Sequence, residues 1–220
     1  MSFDKLWPLL AQGAADTLYM TLWSAFFAYL VGLPLGVLLV ITRKGHILPA
    51  PAFNALLGGV INFLRSIPFI ILLAMLFPVT RAVMGRAIGT RAIIFPLIIS
   101  AFPYVARMVE GSLDEIDHGI LEAAQAMGST NLQIIFKVLL PEAVPSLING
   151  AAISVTTILA YSAMASAAGG GGLGALAITK GYQQQNLDIL YASSMALVLL
   201  VQLITVSGTR LTKWVDHRKK

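Results

Sequence analysis

The sequence predicts an all-α membrane protein with five transmembrane helices and a cytoplasmic helical segment between the third and fourth. Three observations predict it. Of 220 residues, 57% are hydrophobic and only 11% charged, roughly half the charged share of a soluble domain. Charge-free apolar runs such as residues 17–41 exceed the ~18 residues that mark a spanning helix. Lys and Arg gather in loops and at the C-terminus, the pattern of cytoplasmic loops.

Taken in order, spans are expected over residues 18–40, 56–77, 92–109, 147–168 and 187–207, within a transmembrane domain of residues 18–208. Residues 1–17 are expected to form an outward-facing segment in which Leu6, Trp7, Leu9 and Leu10 suit either a short interfacial helix or a plain terminal extension. It lacks a basic n-region and an A-x-A site, so it reads as retained rather than as a signal peptide. Pro34 and Pro68 each remove a backbone donor and predict kinks, and Gly32 and Gly36 form a small-xxx-small pair suited to close helix contact.

Five spans put the termini on opposite sides. The basic tail of residues 209–220, with Arg210, Lys213, Arg218 and Lys219, then places itself, Arg43/Lys44 and the loop after the third span in the cytoplasm. Arg81, Arg86 and Arg91 run against this rule, but about ten of the 15 basic residues obey it. The net charge of +5 does not indicate nucleic acid, because the basic residues are not interleaved with aromatics on one polar face. With no cysteine, disulfides, thiolate nucleophiles and Cys-based metal sites are excluded.

Residues 112–141 form the longest expected cytoplasmic loop, and it is organised. Asp114, Glu115 and Asp117 precede a helix-favouring run over 120–127 that Gly128 terminates. Ala123, Ala124 and Ala126 would let a partner approach the backbone closely, and Glu122 offers a charge to pair with a basic group. A second amphipathic stretch, 132–140, is expected to end at Pro141. The result is a helix–turn–helix handle; the plainer alternative is a loop lying on the membrane surface.

These residues resemble the coupling motif of binding-protein-dependent ABC importer permeases: Glu-Ala-Ala, three residues, Gly, nine residues, then Ile-x-Leu-Pro. Here it reads Glu122-Ala123-Ala124, Gly128 and Val138-Leu139-Leu140-Pro141, the single departure being Val138 for Ile. Stretches 63–72, 106–110, 140–143 and 161–164 make the likeness closest to methionine importer permeases, so methionine is the first choice of substrate and another amino acid the second. The resemblance implies a homodimer in the bacterial inner membrane and two copies of a cytoplasmic ABC ATPase. It also implies an extracytoplasmic substrate-binding protein and ATP and Mg held by the ATPase, with no cofactor on this chain. It assigns ATPase coupling to Glu122, Ala123, Ala124, Gly128, Val138, Leu140 and Pro141.

Candidate pathway or gate residues are Arg65, Pro68, Tyr161, Ser162 and Met164. Arg65 reads as near the middle of the second span, where charge should face protein or water, as a partly interfacial arginine that snorkels, or as a partner of Glu110. Residues 169–172 with Gly174 lack the Lys and Ser/Thr of a Walker loop and read as a flexible outward turn. His46, His118 and His217 sit in loops or the tail, so no catalytic or metal-binding constellation is expected. An ion-coupled secondary transporter is disfavoured because span interiors lack carboxylates and no internal repeat is evident; a membrane enzyme is disfavoured by the missing catalytic set.

Overall fold

The computed structural model of the chain describes residues 3–166 and 169–216, with side chains from Leu6 onward. His217, Arg218, Lys219 and Lys220 of the expected basic tail, and the last two residues of the expected fourth span, lie outside the described residues. Among the described residues every regular element is helical: α1 (Phe3–Ile41), α2 (Pro51–Ser66), α3 (Phe69–Met84), α4 (Thr90–Asp114) and α5 (His118–Ala126). A short turn, α6 (Asn131–Gln133), leads through a π-helical stretch (Ile134–Leu139) into α7 (Leu140–Ala165). After it come α8 (Gly172–Ala175), a second π-helical stretch (Leu176–Gln183) and α9 (Leu187–Val215). Among the described residues four helices are long and apolar enough to cross a membrane, or five if α2 and α3 together count as one broken span.

The chain divides into two compact units. The first comprises Met1–Ala28, Ile67–Ala101 and Val155–Val206. Its core holds Met20, Phe69, Leu73, Ile93, Leu97 and Ala165, and Phe69 stacks on Tyr161 with ring centres 4.9 Å apart. The second unit comprises Tyr29–Ser66, Phe102–Ser154 and Ser207–Lys220, with Leu39, Ile61 and Ala106 at its centre. In it Gly32 and Gly36 bring α1 against α4: a Cβ at Gly36 would stand 2.6 Å from the Ala106 carbonyl oxygen, so the backbones approach as the small-residue pair anticipates.

Three expectations change. The segment before Asp16 is the start of α1, with no separate interfacial helix. Leu6, Leu9, Leu10 and Ala14 pack on the Leu173, Leu176 and Ile189 cluster, so tertiary burial carries the helix through residues that a local reading detaches. Residues 56–77 are no single helix. Ser66 ends α2 and Pro68 takes extended backbone, φ −56 and ψ 135, before α3, because proline lacks a donor and disfavours helix at Ile67 before it.

The glycine run is a packed turn. Gly169 and Gly172 hold φ of +91 and +87, values open to glycine and strained for other residues. The Leu173 N–H donates to the Thr17 hydroxyl at 2.9 Å, a Cβ at Gly172 would lie 2.5 Å from that same oxygen, and the Gly89 N–H donates to the Gly169 carbonyl at 2.9 Å. Helical structure follows from Gly172 to Gln183, between the expected fourth and fifth spans.

Candidate functional site

The segment between α4 and α7 is set by caps. Asp117 begins α5, its carboxylate accepting from the Gly119 N–H at 2.7 Å and satisfying a donor the helix itself cannot. At the other end Gly128 has φ +78. Its N–H donates to the Gln125 carbonyl at 2.9 Å and the Ser129 N–H to the Ala124 carbonyl at 3.1 Å, the bond pair of a Schellman motif. Thr130 restarts the chain with a capping box: its N–H donates to Gln133 Oε1 at 2.9 Å and its hydroxyl accepts from the Gln133 N–H at 3.4 Å. Stop and restart are two residues apart, which holds the turn rigidly.

α5 packs on the π-helical stretch. Leu121 and Ala124 form its buried face, three apart as helical periodicity requires, and Ile134, Ile135 and Leu139 are buried on the π side. Ala124, expected to face a partner, therefore turns inward at 3% exposure. Glu122, Ala123, Ala126 and Gly128 remain exposed, beside Met127 at 79%.

Pro141 does not end the second helix. The Leu140 N–H donates to the Ile135 carbonyl, five residues back, so the turn before the proline is wider than an α turn. That register loosens the place where the ring would crowd the preceding turn, and α7 runs on through Pro141 and Pro145. Pro141 is exposed, whereas Val138 and Leu140 are half-buried.

Next to this segment lies an ion cluster that the sequence reading did not find. Glu110 is 8% exposed. Arg43 Nη2 donates to its Oε1 at 2.7 Å and Arg107 Nη1 to its Oε2 at 2.6 Å. Arg43 also reaches Asp114 at 3.0 Å, and Arg107 Nη2 donates to the Gly58 carbonyl at 3.1 Å and to Asn62 Oδ1 at 3.0 Å. The end of α4 is thus tied to α2 and to the loop after α1, and two guanidinium groups offset the cost of burying one carboxylate. The Arg107, Glu110 and Asp114 spacing, three then four, marks one helix face and was visible in the sequence; Arg43 as their partner was not. Arg65 is neither mid-helix nor on Glu110: it is exposed in the last turn of α2 with its guanidinium 6.0 Å from the Tyr104 ring centre.

Beside the cluster, His46 and His118 have ring centres 5.9 Å apart, and His46 Nδ1 is buried without a partner. Burial first, then the His118 and Arg43 charges, pull the His46 pKa below its ordinary value. Of the gate candidates, Tyr161 stacks on Phe69. Ser162 is 1% exposed and donates to the Leu159 carbonyl at 2.7 Å. Met164, 54% exposed, Pro68 and Arg65 lie at the surface. Among the described residues no group of three His, Asp or Glu could hold a metal ion.

The sequence profile of binding-protein-dependent transport system inner membrane components matches residues 32–220. The chain belongs to that family. The chain is similar to a probable D-methionine transport system permease protein MetI from Vibrio cholerae, 45% identical over 210 residues, which are 96% of this chain and 93% of that protein. The D-methionine transport system permease protein MetI of Yersinia pestis is 52% identical over 164 residues, 74% of this chain and 75% of its own. A solved inward-facing MetNI methionine ABC transporter contains a chain that superposes with a TM-score of 0.96 at 45% identity, covering 99% of this chain and 100% of that one. An amino acid ABC transporter chain, 20% identical with a TM-score of 0.73 over 98% of this chain and 96% of its own, shares the fold. As a binding-protein-dependent inner membrane component, this chain is a multi-pass membrane permease subunit.

Proposed function

We propose that the chain is the permease subunit of an ATP-driven importer of methionine, with the ATPase on a separate partner subunit. The observation that carries this reading is full-length likeness, TM-score 0.96 at 45% identity, to the permease-type chain of a methionine ABC transporter. Two copies of this chain enclose the path, two ABC ATPases carrying ATP and Mg dock from the cytoplasm, and an extracytoplasmic binding protein delivers the amino acid.

The geometry supports a mechanism of alternating access. Glu122, Ala123 and Gly128 present the outer face of α5 to the ATPase, and Pro141 is exposed at the start of α7. When the two ATPases close on ATP, they displace α5. Its capped ends and buried Leu121 and Ala124 resist local unfolding, so the displacement passes through the π-helical stretch into α7. The Arg43–Glu110–Arg107 cluster makes α2 and the end of α4 move together. A differential fit of the ATPases to two permease conformations is what turns ATP binding into a shift between them.

Reconstitution of the chain with its ATPase and binding protein in liposomes tests this. Methionine uptake should require internal ATP and the binding protein; uptake driven by an ion gradient in the absence of the ATPase overturns the reading.

A further inference from the structure

In the first unit, a cavity of about 560 Å³ is lined by Asp16, Tyr19, Arg86, Gly89, Thr90 and Arg91. Its size lies within the ~300–1,000 Å³ of small-molecule sites. Opposite charges share this space without neutralising each other: among the described residues no ion pair joins Asp16 to Arg86 or Arg91. Asp16 accepts one hydrogen bond, from Gln12 at 3.1 Å, which leaves capacity on its carboxylate.

The cavity has a built floor. Gly89 is bonded to Gly169, and Gly171 lies against Thr90 and Asp16 so closely that a Cβ there would fall on the Thr90 hydroxyl and 3.7 Å from Asp16 Oδ2. Any side chain at position 171 would occupy the space between a hydroxyl and a carboxylate. Glycine at 171 keeps both open. The arginines sharpen the point. Arg86 and Arg91 lie in an expected outward loop against the charge rule, and in the folded chain both border this cavity.

We propose that this cavity is a binding site for the zwitterionic head of a free α-amino acid at the outward mouth of the permease. Arg86 and Arg91 present guanidinium forks to the carboxylate, Asp16 accepts from the ammonium group, and the half-exposed Tyr19 ring adds a cation–π face. The site reads the head group common to amino acids and leaves side-chain selection to the delivering protein. The inference rests on the importer reading for its orientation and substrate class.

The test uses the complete complex of this chain and its ATPase in lipid nanodiscs, without binding protein. Binding of methionine is compared by saturation-transfer NMR with methioninol, which lacks the carboxylate, and 4-(methylthio)butanoate, which lacks the ammonium group. Methionine should bind at least tenfold more tightly than either. Arg91→Gln should abolish the preference over the alcohol, Asp16→Asn the preference over the acid, and Gly171→Ala should weaken all binding; Arg91→Lys and Asp16→Glu should restore part of each preference. Thermal midpoints identify any variant that fails to fold. Equal binding of the three ligands overturns the proposal. So do charge variants that bind methionine normally yet lose affinity for the binding protein, which would make the arginines a docking patch. ATP-driven methionine import with no head-group discrimination sinks the site alone, whereas failure of import by the complete system sinks the importer reading.

Discussion

Arg43 Nη2 lies 2.7 Å from Glu110 Oε1 across a sequence separation of 67 residues, fastening the loop after α1 to the end of α4, from which α5 departs. The Glu110 side chain is 11% exposed and pairs with both Arg43 and Arg107, whereas the Arg43 side chain is 45% exposed and also pairs with Asp114. Losing the carboxylate therefore removes both of its pairs, whereas losing Arg43 leaves Glu110 its Arg107 pair and removes contacts that water can replace. Glu110→Ala should lower stability by roughly 2 to 3 kcal/mol, short of the ~3–5 kcal/mol for breaking a fully buried pair, while Arg43→Ala should cost about 1 kcal/mol. Thermal unfolding in detergent checks both; equal effects would contradict the burial argument.

Gly128 is strained for any other residue by its backbone alone, since φ is +78 and a Cβ would meet nothing within 4 Å. Gly128→Leu should therefore insert and assemble, cost roughly 1 to 2 kcal/mol, and tilt the end of α5 that faces the ATPase. In the reconstituted importer, ATP hydrolysis should persist while methionine uptake falls. Unchanged uptake would remove α5 from the transmission path.

Gly172 combines both penalties, a φ of +87 and a would-be Cβ contact of 2.5 Å to Thr17 Oγ1. Gly172→Ala should destabilise the protein by roughly 2 to 4 kcal/mol, strain and overpacking together. In a Thr17→Ala background the steric share should vanish, so the two substitutions should be less than additive. Strict additivity in thermal unfolding would count against the contact.

His46 supplies a pH dependence. Its folded pKa lies below the reference of 6.5 through burial and the His118 and Arg43 charges, against the opposing pull of Asp114. The unfolded chain therefore binds a proton that the folded chain refuses in the window below about 6.5. The stability present above that pH is lost as pH falls through the folded pKa. Thermal midpoints from pH 7.5 to 5 should decline, and His46→Gln should flatten the decline; a variant that follows the wild-type curve would assign it elsewhere.

The ends of α5 were legible because caps are local: Asp117 before the helix and Gly128 after it act through bonds to residues within five positions. The face of α5 was not. Ala123 and Ala124 look alike in sequence, and only the packing of α5 on the π-helical stretch buries one and exposes the other. Proline was legible as a breaker at 68, where the helix does break, yet at 141 a π turn absorbs it, an outcome that depends on burying Ile134, Ile135 and Leu139 together.

The all-helical membrane class, the coupling-type motif over Glu122 to Pro141 and the family were determined by the sequence itself, through hydrophobic run length and residue spacing, which need no knowledge of neighbours. The tertiary structure alone decided that residues before Asp16 continue α1, that the glycine run is a packed turn rather than a loose one, and that Glu110 is shared by Arg43 and Arg107. Each of these depends on groups far apart in the chain. Their pairing follows from which surfaces can be buried at once, a condition that no local pattern encodes.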